Sequence, residues 1–152
     1  MEDRKIELRL LTPAVRASLS PYKYQAQVAM VIVRTITGDR GFLHGHEPCS
    51  VVLDAGIMRI IPGGDASELK LAIIGGIAQI EDNVLTVITD TAEWPEDIDR
   101  ARAVAIRDDI LNRLDRVDTA VVDVEGLKGE LRAAEVLVAV GALPPSGITR
   151  EK

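Results

Sequence analysis

Residues with chemically active side chains cluster between positions 39 and 49. His44 and His46 lie two residues apart, with Asp39 and Glu47 close in the sequence, and all four are residue types that bind metal ions. No matching cluster of histidine and cysteine is present elsewhere in the sequence. We therefore favour the interpretation that both histidines are structural residues of a loop.

The single cysteine, Cys49, follows His46 by three residues and could form a nucleophile–base pair with it. The sequence offers no third group to orient the base and no motif of a cysteine hydrolase. A small hydrolase that uses Cys49 and His46 is therefore a minor alternative. One cysteine cannot form an internal disulfide, which fits a reducing compartment.

A second set of polar residues lies near Trp94. Asp99 and Arg102 are three residues apart, which places them on one face of a helix, and Glu93 precedes them. The simplest interpretation is a helix-start acid and a surface ion pair, which contributes about 0–1 kcal/mol. A carboxylate and a guanidinium on one face could also bind the ribose hydroxyls and phosphates of a nucleotide.

Before Trp94 the sequence is typical of short β-strands separated by turns. Gly63-Gly64, Gly75-Gly76 and Asp82-Asn83 are turn signals, and neither glycine pair belongs to a phosphate-binding motif. Strands separated by turns about every 8–12 residues indicate an antiparallel sandwich or barrel. The apolar runs predict strands at residues 6–10, 28–35, 51–53, 57–61, 69–74, 77–80 and 84–89.

The run from Val28 to Thr35 is apolar at almost every position. Alternation along one strand places Val28 on the same face as Met30 and Ile32, and Val31 on the other. Since both faces are largely apolar, we expect this strand to be covered on both sides.

After Trp94 the hydrophobic period changes from two residues to about 3.6, which predicts two helices in an antiparallel hairpin. Pro95 suits the first helical position, and Asp118-Thr119 is a predicted break. Gly141 is the expected C-cap of the second helix. The apolar stripes comprise Ile106, Ile110, Leu114 and Val117 in the first helix and Leu127, Leu131, Ala134 and Val138 in the second.

The predicted organisation is a β-sandwich domain at residues 1–93, a helical hairpin at 94–143 and a flexible tail at 144–152. The four aromatic residues all lie at or before Trp94, so the hairpin must pack through small aliphatic side chains. The formal charge is −6, without the basic face and stacking aromatics of a nucleic-acid-binding domain. The longest apolar run has six residues, whereas a membrane-spanning helix needs about 20.

The segment GDRGFLHGHEP occupies residues 38–48, and LDAGIMRI follows at residues 53–60. GGIAQI at residues 75–80 and NVLTVITDTAE at residues 83–93 form a third stretch, and IDRARA at residues 98–103 is the fourth. In the same order and spacing, these four stretches resemble the epsilon subunits of F-type ATP synthases, whose glycine-rich stretch ends in G-H-x-P.

The resemblance implies an N-terminal β-sandwich of about ten strands, a C-terminal antiparallel helical hairpin and a role without bond chemistry. Epsilon subunits belong to the central rotor and clamp the gamma subunit to the c-ring, so that rotation reaches the alpha/beta hexamer. Their hairpin can fold against the sandwich, or extend into the hexamer and inhibit ATP hydrolysis. The implied location is peripheral, at the cytoplasmic face of the bacterial cell membrane, and the lack of a transit peptide disfavours import into an organelle.

By resemblance, Asp39 lies where the family presents an acidic turn to the polar loops of the c-ring, and His46 and Pro48 lie near the gamma contact. Arg40, the neighbour of Asp39, is a candidate contact by position, since the family pattern does not include a base there. We expect partners, rather than a buried core, to order these loops. A stand-alone β-sandwich that binds proteins outside any ATPase is the alternative function.

Some bacterial epsilon subunits bind ATP as a regulatory ligand in the folded hairpin. By resemblance, Glu93, Ile98, Asp99, Arg102 and Ala103 match that site, which also uses arginines of the second helix. A loose alignment places Glu135 and Ala139 at those arginine positions. The chain would therefore lack two phosphate-binding arginines, and charged hydrogen bonds contribute about 1.5–3 kcal/mol each. We predict that ATP binding is weak or absent, and that no cofactor is required.

Overall fold

The computed structural model describes residues 4–13, 22–116 and 123–148. Within these ranges ten strands form one curled sheet, in the order β10-β7-β6-β3-β5-β8-β9-β1-β2 with β4 paired to β3. The pairing of β1 with β9 is parallel, and the other pairings are antiparallel. The strands are β1 Ile6–Leu11, β2 Tyr24–Val28, β3 Met30–Thr35, β4 Gly38–Leu43, β5 Cys49–Leu53, β6 Gly56–Ile61, β7 Leu69–Ile73, β8 Gly76–Glu81, β9 Val84–Ile88 and β10 Ala92–Glu93.

Alternate residues of these strands point into one aliphatic core, which includes Leu8, Val31, Ile60 and Leu85, all 0% exposed. Trp94 is buried in the same core, and its ring lies edge-on to Tyr24 with 5.6 Å between the ring centroids. The core therefore extends to the last residue before the helical region. The predicted β-sandwich of about ten strands, followed by a helical hairpin, is confirmed.

The predicted strand at residues 28–35 is wrong at its start. Val28 is the last residue of β2, where it pairs with Ile6, and β3 begins at Met30. Because the chain changes strands at Ala29, Val28 is buried with Val31 rather than sharing the face of Met30. That second face of β3 is only partly covered, contrary to the expectation of burial on both sides.

The helical region consists of α1, Arg100–Asp115, and α2, Val124–Gly141. The prediction that Pro95 begins the first helix is wrong. Pro95 begins a separate 3-10 turn, Pro95–Asp97, that precedes α1. Ile98 then returns to an extended conformation, and Asp99 caps α1 by accepting a hydrogen bond from the Arg102 backbone N–H at 3.1 Å. The cap satisfies a helix N–H that would otherwise lack a partner, so α1 starts there.

The two helices pack through small aliphatic side chains, with Ile110, Leu127 and Ala134 buried between them. Ile106 is 44% exposed, so its predicted place in the α1 stripe is wrong. At about 100° per residue, Ala103 and Leu114 lie on one side of Ile110 and Ile106 on the other. The predicted break at Asp118-Thr119 lies outside the described residues.

The hairpin is folded against the sandwich, with α2 against β6 and β7. Arg132 Nε lies 3.9 Å from Asp54 Oδ1. Beyond α2 the chain returns to the sandwich, where the Ser146 backbone N–H donates to Glu96 Oε2 at 3.0 Å and Ile148 packs on the sandwich core. No helix in the described ranges has the length and apolarity needed to cross a membrane.

Candidate functional site

Asp39 and Arg40 are exposed residues of strand β4. Both residues follow the turn that precedes β4, which consists of Ile36 and Thr37. The Thr35 hydroxyl closes this turn by donating to Gly38 O at 2.6 Å, so pairing with β3 starts at Gly38. Asp39 then lies opposite Arg34, whose Nη1 is 3.2 Å from Asp39 Oδ1.

His46 and Pro48 lie beyond the other end of β4, in a loop that joins it to β5. The structure therefore does not bring these two residues together with Asp39 and Arg40. The His46 ring packs on Phe42 with 5.1 Å between the centroids, and His46 Nδ1 is 2.7 Å from Glu47 O. The loop therefore has contacts of its own within the chain, and its ordering by partners stays a prediction.

Cys49 faces the sandwich core from the start of β5. The His46 ring contacts Phe42 and the Glu47 carbonyl instead of the Cys49 thiol. This geometry does not support a cysteine hydrolase. In the described part of the chain, no three histidine, cysteine or acidic residues come together in a way that could hold a metal ion.

The residues of the possible nucleotide site lie around the start of α1. Asp99, Arg102 and Ala103 belong to its cap and first turn, Ile98 immediately precedes them, and Glu93 pairs with Ala72 in strand β10. Asp99 Oδ1 already accepts the helix-capping hydrogen bond, and Ala103 is 4% exposed. The Arg102 side chain is exposed, so one base of the motif remains accessible.

The end of α2 approaches the same place. Gly141 is the last helical residue and Ala142 is the cap, so the prediction of Gly141 as C-cap is wrong. A Cβ at Gly141 would lie 3.0 Å from Ile98 Cγ2 and 3.3 Å from Arg100 Cβ. Glycine therefore allows α2 to contact the chain just before α1. From residue 133 to residue 141 the one charged residue is the exposed Glu135, and Ala139 is also exposed.

The outward face of the sheet carries a row of aliphatic side chains. Val52 of β5 pairs with Ile77 of β8, and Ile77 pairs with Ile88 of β9. Their exposed fractions are 53%, 52% and 56%. Leu11 pairs with Ile88, and Ile36 lies beside Val52, to whose carbonyl its N–H donates at 3.3 Å. We call Leu11, Ile88, Ile77, Val52 and Ile36 the apolar row.

Mostly polar residues occupy the rest of this face on β1, β8 and β9. Arg9 of β1 pairs with Thr86, which pairs with Gln79. Arg9 Nη2 is 2.7 Å from Glu7 Oε2, and Glu7 Oε1 accepts from Gln25 at 3.1 Å. An open cleft of about 330 Å³ extends from the middle of this face to the β8–β9 turn and is lined by Arg9, Gln79, Glu81, Asp82, Val84 and Thr86.

A contiguous exposed apolar patch rimmed by polar residues marks a protein interaction site, whereas single scattered apolar residues do not. Sequence reasoning missed the apolar row, although alternation contained a signal for it. Ile77 has the same parity as the outward Gln79 and Glu81, and Ile88 has that of Thr86. An aliphatic residue at the end of each polar face was the feature that could have been recognised.

Three comparisons with known proteins agree on one family. A family model described as the beta-sandwich domain of the ATP synthase Delta/Epsilon chain matches residues 18–95, about half of the chain. The matched range contains β2 to β10 and ends at Pro95.

Similar proteins of known name are ATP synthase epsilon chains. The ATP synthase epsilon chain of Caldicellulosiruptor saccharolyticus is 40% identical over 85 residues, which cover 56% of this chain and 61% of the relative. That of Alkaliphilus metalliredigens is 38% identical over 99 residues, covering 65% and 68%. The similarity thus spans about three fifths to two thirds of the relatives' length.

Solved structures extend the similarity through the hairpin. A chain of the Euglena gracilis mitochondrial ATP synthase, determined as an assembly of OSCP, F1 and c-ring, has a TM-score of 0.72 and 26% identity, and 89% of this chain and 80% of that chain are covered. A chain from the central stalk and c-ring of the Tetrahymena thermophila enzyme has a TM-score of 0.50 and 16% identity, over 88% and 91% of the two chains. The second comparison supports the fold alone.

Proposed function

The chain belongs to the ATP synthase Delta/Epsilon chain family, and from this premise we propose that it is a non-catalytic rotor subunit of the central stalk. In this role the sandwich binds the gamma subunit and the polar loops of the c-ring, and rotation passes through them to ATP synthesis in the alpha/beta hexamer. The subunit then lies at the periphery of the membrane, on the cytoplasmic face in a bacterium. The alternative, a stand-alone β-sandwich outside an ATPase, has no support from the comparisons.

The observation that carries the proposal is the apolar row on the outward face. Its central members, Val52, Ile77 and Ile88, come from three adjacent strands, so the sheet itself holds them in a rigid line. Burying such side chains contributes about 25 cal/mol per Å² of apolar surface, and their fixed positions reduce the ordering cost of association. Gamma is the proposed occupant because family membership supports a central-stalk partner.

Co-purification is the direct test of this function. The full chain is produced together with the gamma and c subunits of the same organism, and gamma carries an affinity tag. When gamma and its c-ring are captured through that tag, the full chain should be recovered with them. A chain that binds neither subunit would contradict the rotor proposal and favour the stand-alone module. Asp39, Arg40, His46 and Pro48 are proposed contacts in this assembly, at the two ends of β4.

ATP is proposed to bind weakly or not at all. Asp99 is used as a helix cap, and residues 133–141 of α2, which end at Gly141 beside Ile98, contain one acid, Glu135, and no base. Calorimetric titration of the full chain should therefore show no micromolar binding. Two exposed positions allow a gain-of-function control, because Glu135→Arg with Ala139→Arg should strengthen binding by about 3 kcal/mol or more. Micromolar affinity of the wild type would contradict the prediction.

Inhibition of hydrolysis is proposed to require the hairpin to leave the sandwich and extend toward the alpha/beta hexamer. The end of α2, residues 136–140, is apolar and carries no base, so steric and apolar contacts would dominate over charge. Deleting the residues after Val117 should raise ATP hydrolysis by the assembled complex. An unchanged rate, at equal incorporation of the truncated subunit, would argue against inhibition.

A further inference from the structure

Asn83 lies in the two-residue turn between β8 and β9. Asp82 and Asn83 both have positive φ, 50° and 62°, which is the backbone of a tight hairpin turn of the I′ kind. The Asn83 carbonyl also accepts the Glu7 N–H at 2.8 Å. This backbone alone accounts for an asparagine or a glycine here, but not for a particular side-chain orientation.

The Asn83 side chain reaches the loop between β4 and β5, almost 40 residues away in the sequence. Its Oδ1 accepts from the Gly45 backbone N–H at 2.7 Å, and its Nδ2 lies 3.3 Å from His44 Nε2. Because Oδ1 is used as an acceptor, Nδ2 is the donor, and His44 Nε2 accepts in this arrangement. A single amide therefore holds two successive residues of the loop.

The loop itself is exposed. Leu43 is 50% exposed, and the side chains of Glu47 and Pro48 lie at the surface. Its local contacts include a His46 N–H to Leu43 carbonyl hydrogen bond at 3.2 Å, the packing of His46 on Phe42 and the contact of His46 Nδ1 with the Glu47 carbonyl. The Asn83 side chain attaches this loop to the β8–β9 hairpin. The attachment lies at the opposite end of the outward face from the apolar row.

We propose that Asn83 is a positioning residue that fixes the Leu43–Pro48 loop in the conformation that docks on the gamma subunit. The inference rests on the proposed function and adds to it a residue that does not itself contact the partner. A loop that is held before association loses less conformational freedom on binding, so its affinity is higher than that of a mobile loop with the same contacts.

The turn offers a matched set of variants. Asn83→Gly keeps the positive φ and removes the side chain, and Asp82→Gly makes the same change one residue earlier, where the side chain does not hold the loop. Asn83→Asp keeps an oxygen acceptor for the Gly45 N–H, and the neutral His44 ring can place its proton on Nε2 and donate to the carboxylate. The last variant is a conservative rescue.

Two measurements separate the role of Asn83 from the docking itself. Amide exchange of Gly45 is measured on the full chain alone, and affinity for the isolated gamma subunit is measured by calorimetry. Asn83→Gly should accelerate Gly45 exchange and weaken gamma binding by about tenfold, as expected for the loss of two hydrogen bonds. Asp82→Gly and Asn83→Asp should both bind within about threefold of wild type, and all variants should keep the wild-type circular dichroism spectrum.

Wild-type gamma affinity in Asn83→Gly would overturn the positioning role and leave the proposed function intact. Unchanged Gly45 exchange in that variant would overturn it as well, whether or not gamma binds. Equal loss of affinity in Asp82→Gly would also overturn it, because the turn backbone would then be responsible. A wild-type chain that fails to bind gamma would overturn both this inference and the proposed function.

Discussion

Replacing Gly76 with alanine should lower the free energy of unfolding by about 3 kcal/mol or more, a large part of a typical domain's stability. Gly76 has a φ of +115°, in a region that residues with a Cβ rarely adopt. A Cβ there would also lie 2.2 Å from the Ile88 carbonyl oxygen and 3.0 Å from Thr89 Cα. Both obstacles are backbone atoms, so β8 and β9 would have to separate.

Neighbouring glycines provide a graded control for this change. Gly75 has a φ of +73° with no atom within 4 Å of an added Cβ, so alanine there should cost about 1 kcal/mol for conformation alone. Gly41 lacks both constraints, and Gly41→Ala should change stability by no more than about 1 kcal/mol in either direction. Urea unfolding can be followed by fluorescence of Trp94, the single tryptophan, which is 3% exposed. Equal effects at positions 75 and 76 would contradict the predicted backbone clash.

Local pattern was sufficient to predict seven of the strands and both helices, but not β2, β4 or β10. The turns at Gly63-Gly64, Gly75-Gly76 and Asp82-Asn83 all have positive φ, as glycine and asparagine signals indicate. The change from a two-residue period to a helical one at Trp94 lies directly after β10, the last strand. These features depend on residues within a few positions of one another, so they can be predicted directly from the sequence.

Features that depend on distant contacts were not predictable in the same way. Gly141 was predicted to be a helix cap, but its role is to allow close packing of α2 on Ile98. That contact joins distant residues and cannot be predicted from local sequence. The Asn83 side chain contacts Gly45 only because the β8–β9 turn lies beside the β4–β5 loop in the folded sheet. Val28 was assigned to the wrong face because a one-residue change of strand reverses the alternation.

The candidate partner surface also combines residues that were proposed from the sequence with residues that depend on contacts between distant strands. The resemblance identified Asp39, Arg40, His46 and Pro48, and the structure places them at opposite ends of β4. The apolar row between neighbouring strands depends instead on register, since Val52, Ile77 and Ile88 are far apart in sequence and adjacent in the sheet. Strand order and register were the missing information, and no local propensity supplies them.

Substituting aspartate for Ile77 should weaken gamma binding by at least about a hundredfold, or roughly 3 kcal/mol, while the chain remains folded. Ile77 is the middle residue of the apolar row, between Val52 and Ile88, so a charge there would be buried without a partner on docking. Its side chain is 52% exposed in the free chain, and the expected change in stability is therefore about 1 kcal/mol or less.

Ile106→Asp is the matched control for this prediction, because Ile106 is an exposed isoleucine of similar accessibility, 44%, on helix α1 rather than on the outward face of the sheet. Affinity for gamma, measured by calorimetry, should be near the wild-type value in this variant and strongly reduced in Ile77→Asp. Equal affinities in the two variants would contradict docking through the apolar row. A reduction confined to Ile77→Asp would mean that the aliphatic line across β5, β8 and β9, rather than general surface hydrophobicity, provides the binding energy.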